Sequence, residues 1–176
     1  MMNWPNMLLV AGTGRNVGKT TFVCKVIENV SKKSPIIAIK ITPHVHDLCD
    51  SCVTLFKSDK LTITEETSKT LPKDSSKMLA SGATKVYFIQ GADDQLDKVI
   101  EFLRNIIPES TAIICESAAL RNFINPSLFV LMSLKSDGVI QKNVDKVPLA
   151  NLHIWDYNYN TKDFKFKDGV WCFINN

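Results

Sequence analysis

An α/β fold with a mostly parallel, doubly wound sheet is predicted by three observations. Short apolar runs recur along the chain: MLLVA at 7–11, the β-branched IIAIKI at 36–41, KVYFIQ at 85–90, TAIICE at 111–116 and SLFVLMS at 127–133. Segments with apolar residues at helical spacing separate several of these runs, which is the rhythm of strands joined by crossover helices. A glycine-bearing turn lies between the first run and the first helical segment, where an open α/β sheet gathers its ligands. The chain of 176 residues, with 45% hydrophobic and 22% charged residues, suits a single domain spanning 1–176 with a core that needs no covalent staples.

The elements follow in order. Phe22, Val23, Val26, Ile27 and Val30 repeat at helical spacing within 20–33, and Ser34-Pro35 ends that helix before the strand at 36–41. The polar, cysteine-bearing stretch 42–73 interrupts the alternation and reads as an insertion or lid, with one weak strand at 61–66. A helix at 74–81, stopped by Gly82, precedes the strand at 85–90, and a helix at 94–107 precedes the strand at 111–116. A short helical stretch at 117–124, strands at 127–133 and 151–157, and a hairpin turning at Asp168-Gly169 within 164–173 complete the expectation.

The turn reads GTGRNVGKT from Gly12 to Thr20. Glycines let backbone N–H groups turn toward phosphate oxygens, a lysine reaches the outer phosphates and a hydroxyl ligates Mg²⁺. The expected nucleotide-binding residues are Gly12, Thr13, Gly14, Arg15, Asn16, Val17, Gly18, Lys19, Thr20 and Thr21, with Lys19 and Thr20 in the last two roles. A phosphate-loop nucleotide-binding fold is thus predicted, with GTP or ATP as ligand. Five residues separate Gly12 from Gly18 where four are usual, and Thr13 occupies the first glycine's place.

Acidic residues at the carboxyl ends of parallel strands are candidates for holding Mg²⁺ or activating water. Glu116 ends the apolar run AIIC, and Asp74 opens the helix after Pro72, where it also suits a helix terminus. Thr20, Asp74 and Glu116 form the expected Mg²⁺ set, with Lys19, Asp74 and Glu116 as the catalytic candidates. Lys40 and Arg121 are further cations able to meet phosphate, with solvated or structural roles expected instead.

The stretches IAIKITPHVHD at 37–47, KDSSKMLASGATKVYFI at 73–89 and CESAALRNFINPSLFVLM at 115–132 follow the loop in turn. Together they resemble molybdopterin-guanine dinucleotide biosynthesis protein B over about two-thirds of the chain. The resemblance implies a Mg²⁺-dependent GTP-binding protein, usually a homodimer and a weak GTPase, that assists attachment of GMP to molybdopterin beside a molybdenum-cofactor biosynthesis protein. LKSD at 134–137 half matches the sequence with which guanine is read, making Asp137 the candidate for the base. The loop string is also similar to dethiobiotin synthetase, which implies an ATP-dependent small-molecule ligase or kinase as the alternative.

HVHDLCDSC at 44–52 packs His44, His46, Cys49 and Cys52 into nine residues. Two thiolates at Cys-x-x-Cys spacing reach one tetrahedral ion, so Zn²⁺ is a candidate, beside a redox dithiol and two incidental loop cysteines. A nucleotide-gated metal-handling protein is the third functional class. Cys24, Cys115 and Cys172 read as core residues, and His153 as structural.

A net charge of +3 without runs of like charge favours neither nucleic acid nor membrane as partner. The first residues lack a basic region followed by a long apolar stretch, and the five cysteines do not pair off as a secreted framework, so a cytoplasmic location is expected.

Overall fold

Strand β1, Met2–Gly12, is the axis of the molecule. Its side chains alternate: Leu8 and Val10 enter one core, Met7, Leu9 and Ala11 the other, because a strand covered on both faces must be apolar on both. A computed structural model describes residues 1–43, 52–135 and 142–174. After β1 come helix α1 (Lys19–Val30), β2 (Ile36–Thr42), β3 (Cys52–Lys57), β4 (Leu61–Glu66), α2 (Asp74–Ala80), β5 (Lys85–Gly91) and α3 (Leu96–Ile106). Strands β6 (Ala112–Glu116), β7 (Ile124–Ser133), β8 (Leu152–Trp155), β9 (Phe164–Lys167) and β10 (Val170–Phe173) complete the chain.

Eight strands form one sheet in the order β3-β4-β5-β2-β6-β1-β7-β8, and β9-β10 form a separate antiparallel hairpin. The pairs from β5 through β8 are parallel, whereas β4 runs antiparallel to both β5 and β3. The α/β architecture and terminal hairpin agree with the sequence reading. Residues 52–66, expected within an insertion or lid, add two strands to the sheet edge: β4, where a weak strand was expected, and β3, which was not. Val53, Leu55 and Phe56 of β3 are exposed, and an edge strand without a buried face carries little apolar patterning to read.

Helices cover both faces. Phe22, Val23, Val26 and Ile27 of α1 pack with Met78 of α2 and with Phe164 and Trp171 of the hairpin over one face. Leu96, Val99, Ile100 and Leu103 of α3 cover the other, at the i, i+3, i+4, i+7 spacing of one helix face. Helix α2 ends as expected at Gly82: Gly82 N–H donates to the Leu79 carbonyl at 3.2 Å and Ala83 N–H to that of Met78 at 3.4 Å, closing its last carbonyls. The stretch 117–124 is only a 3₁₀ turn at Ala119–Asn122.

The hairpin is locked by Trp171, whose indole Nε1 donates to the Asn6 carbonyl at 3.1 Å and whose backbone N–H donates to Ser127 Oγ at 3.0 Å. Phe22 lies fully buried against the rings of Tyr159 and Phe164, each centred 5.0 Å away and edge-on. This contact joins α1, and the loop it carries, to the C-terminal third of the chain. Phe22→Ala is expected to cost about 3–5 kcal/mol, through lost transfer energy and the cavity left behind, as read by urea unfolding; a loss below about 1 kcal/mol would show that the ring is not central to packing.

Candidate functional site

The parallel registers bring three strand ends to one height. Lys40 of β2 is level with Glu116 of β6, and Glu116 with Val10 of β1, two residues before Gly12. Side chains at the carboxyl edge of these strands therefore converge beside the loop between β1 and α1.

That loop is held from several directions. Val17 is buried in the core, and a Cβ on Gly12 would lie 2.6 Å from Val17 Cγ2, so only hydrogen fits there. Gly18 takes φ of 84° and caps α1, its carbonyl accepting the first helical bond from Phe22 N–H at 2.9 Å. A left-handed backbone at that position turns the chain abruptly into the helix and favours glycine. Asn143 Nδ2 donates to the Gly12 carbonyl at 2.7 Å.

Thr13 departs from the motif for a visible reason. Its side chain points into the sheet rather than at a ligand, 94% buried, with Oγ1 at 2.8 Å from Ser133 Oγ. Ser133 Oγ in turn lies 2.7 Å from His153 Nε2, and burial pushes the His153 pKa down. His153, read from sequence as structural, closes a hydrogen-bonded chain that anchors the loop.

The predicted site residues Lys19, Thr20, Asp74 and Glu116 come together around a cleft of about 620 Å³. Thr20 Oγ1 donates to Glu116 Oε2 at 3.0 Å. Lys40 Nζ lies 2.5 Å from Glu116 Oε1 and 3.1 Å from Asp74 Oδ2, bridging the two carboxylates. Lys77 approaches Asp74 at 3.9 Å. Lys19 Nζ donates to the Gly14 carbonyl at 3.1 Å, folding the lysine back over its own loop.

The protonation equilibria follow this arrangement. Burial disfavours the charge on Lys40, but Glu116 and Asp74 more than offset it and the Lys40 pKa is raised. Burial likewise pushes Asp74 up, and Lys40 more than reverses it, holding the carboxyl below its ordinary value. Lys19 has the opposite outcome: burial lowers its pKa, and the attraction of Glu116 only partly compensates.

Two carboxylates and a hydroxyl are hard oxygen donors of the kind Mg²⁺ takes when phosphate and water complete its shell. The ionised state of Asp74 suits that role, so Thr20, Asp74 and Glu116 fit a Mg²⁺ site in their chemistry. Among the described residues no three His, Cys, Asp or Glu side chains gather into a metal cage. His44, His46 and Cys49 lie outside the described residues, as does Asp137. Cys52 opens β3 and accepts a hydrogen bond from Lys73 Nζ at 3.1 Å; the same ammonium lies 2.7 Å from Glu66 Oε2. Glu66 is buried and also accepts from Ser75 Oγ at 2.6 Å; burial pushes its pKa up, and Lys73 and Ser75 bring it below the ordinary value.

Lys40, expected to be solvated or structural, bridges the two carboxylates, whereas Lys25, Tyr157 and Tyr159, which also line the cleft, escaped the sequence reading. Lys40 carried a usable signal, a charged residue at the end of a β-branched run, the same signal that singled out Glu116. Tyr157 carried none, since it ends the strand pattern NLHIWDY, and neither did Tyr159, two residues beyond it. Arg121 is structural as expected: it is buried, with Nη1 donating to the Ile124 carbonyl at 3.0 Å.

No protein-family model matches this chain, and no curated protein or solved structure matches it either. Among the described residues no helix is long and apolar enough to cross a membrane.

Replacing Lys40 by methionine leaves buried Glu116 beside Asp74 without the shared cation. Lys40→Met is expected to destabilise the protein by about 3 kcal/mol at neutral pH. The pH dependence has a sign. In wild type the lowered Asp74 pKa contributes stability that is complete above its unfolded value, about 3.9, and is lost as pH falls through the folded value. The raised Lys40 pKa contributes stability that is complete below about 10.4 and is lost as pH rises through the folded value. In Lys40→Met protonation relieves the two carboxylates, so the deficit relative to wild type should shrink as pH is lowered from about 7 toward about 4. Urea unfolding across that range checks it, and a constant deficit would show that the bridge is not electrostatic in origin.

Proposed function

We propose that the chain is a phosphate-loop nucleotide-binding protein whose cleft takes a nucleoside triphosphate with Mg²⁺ and hydrolyses it slowly. One observation carries the reading: the α1 N-terminus, its glycine loop, Lys19 and the oxygens of Thr20, Asp74 and Glu116 all face one cleft at the carboxyl edge of a parallel sheet. The N–H groups of the first helical turn, which have no intrahelical partner, suit phosphate oxygens. Lys19 would leave the Gly14 carbonyl for the terminal phosphate, where its charge opposes the charge that develops on the departing group.

Thr20, Asp74 and Glu116 would hold Mg²⁺, which supplies charge neutralisation between the outer phosphates. Lys40 bridges both carboxylates and keeps Asp74 ionised, while Asp74 and Glu116 can also orient a water for attack. The similarity to molybdopterin-guanine dinucleotide biosynthesis protein B extends the proposal to GTP, a homodimer and an adaptor role beside a molybdenum-cofactor biosynthesis protein.

A second cavity favours a second reading. About 300 Å³ in volume, it is bordered by Ser117, next to Glu116, and by Asn143, which bonds the loop at Gly12. Such a space beside the phosphate site suits a small acceptor, as in an ATP-dependent ligase or kinase similar to dethiobiotin synthetase.

Direct titration of Mg²⁺-GTP and Mg²⁺-ATP into wild type and Lys19→Ala tests the reading. Loss of the lysine's charge-assisted contacts is expected to weaken nucleotide binding by about a hundredfold. Unchanged affinity in a folded Lys19→Ala protein would overturn the assignment. GTP preference favours the adaptor reading, and ATP turnover only with an added acceptor favours the ligase or kinase.

A further inference from the structure

The cleft is lined by cations and carboxylates and, beside Gly18, by the rings of Tyr157 and Tyr159. After β8 the chain passes through Asp156 and Tyr157, with φ of 51° and 60°. Two successive non-glycine residues in the left-handed region are costly and persist only where surrounding contacts enforce them. The contacts here are specific. Asp156 Oδ1 accepts from the backbone N–H of Lys135 at 2.8 Å, and Tyr157 Oη donates to the Asn16 carbonyl at 3.1 Å.

This strained turn lays the Tyr157 ring against the phosphate loop. A Cβ added to Gly18 would lie 2.4 Å from the ring's Cε1, so ring and glycine are in close contact. The hydroxyl is occupied, yet half of the residue is exposed. Tyr157 is therefore a fixed aromatic surface at the mouth of the cleft, its torsional freedom already reduced. Tyr159 lines the same cleft, with its ring edge-on to Phe22 and Lys25 Nζ 5.7 Å from its centroid.

We infer that Tyr157, backed by the Tyr159–Lys25 pair, is the stacking platform for the base of the bound nucleotide. The inference rests on the triphosphate reading above and adds to it how the nucleoside end is held. A half-exposed ring held in the lining of a phosphate-binding cleft suits a flat π-system, and every base offers one. Recognition by stacking serves guanine and adenine alike, so affinity for both purines comes from this wall whatever else discriminates between them.

The test compares Mg²⁺-GTP and Mg²⁺-ATP with Mg²⁺-tripolyphosphate, which lacks the nucleoside, by calorimetric titration into wild type, Tyr157→Ala and Tyr157→Phe. Both nucleotides are expected to bind wild type more tightly than tripolyphosphate. That ratio should fall roughly tenfold in Tyr157→Ala and be kept in Tyr157→Phe, which preserves the ring. If wild type binds tripolyphosphate as tightly as the nucleotides, or Tyr157→Ala keeps the wild-type ratio, the platform is overturned while the phosphate site stands. If no probe binds wild type, the nucleotide reading and the platform fall together.

Discussion

The register of three parallel strands is the constraint on which the site depends. Lys40 opposite Glu116, and Glu116 opposite Val10, are backbone pairings, fixed by the hydrogen-bond ladders of β2, β6 and β1. Because side chains alternate along a strand, slipping either pairing by one residue would send Lys40 or Glu116 to the opposite face. The apolar neighbours Ala38, Ile39, Ile114 and Cys115 hold the register, since each already has a buried place on its own side. The polar cluster is thus positioned by hydrophobic packing, and its charges are matched only once the sheet has aligned.

The loop's extra residue has the same logic. The expected motif has glycine near the position of Thr13, whereas here Thr13 is turned inward and buried. Its hydroxyl meets Ser133 and, through it, His153, while its backbone N–H donates to the Met132 carbonyl at 3.0 Å. Strands β7 and β8 thereby reach the loop from the side opposite Glu116, so that it is supported on both flanks.

What could be read from sequence tracks what is buried. The central strands were legible as apolar runs because both their faces are covered, and the amphipathic α1 and α3 because each has one apolar face. Strand β3 was not, being exposed along most of its length. The first five residues of β1 were hidden by Asn3, Pro5 and Asn6, and are strand because Met2, Asn3 and Trp4 pair with Ile124, Asn125 and Pro126. Within the site, Lys19, Thr20, Asp74 and Glu116 were legible through motif order and strand-end position. Lys40's bridging role and the stance of Tyr157 depend on tertiary contacts, which no local spacing encodes.

The central position of β1 also dictates an order of events during synthesis. The strand that leads the chain has neighbours only in β6 and β7, with Met7 paired to Ile113 and Leu8 to Leu128. At about 5–20 residues per second, the ribosome needs roughly 5–20 s after making MLLVA before its first partner exists. Throughout that interval a fully buried segment of the finished core is a nascent strand with both edges open. This part of the native sheet is therefore made long before the strands that cover its edges, and the newborn chain carries it unpaired.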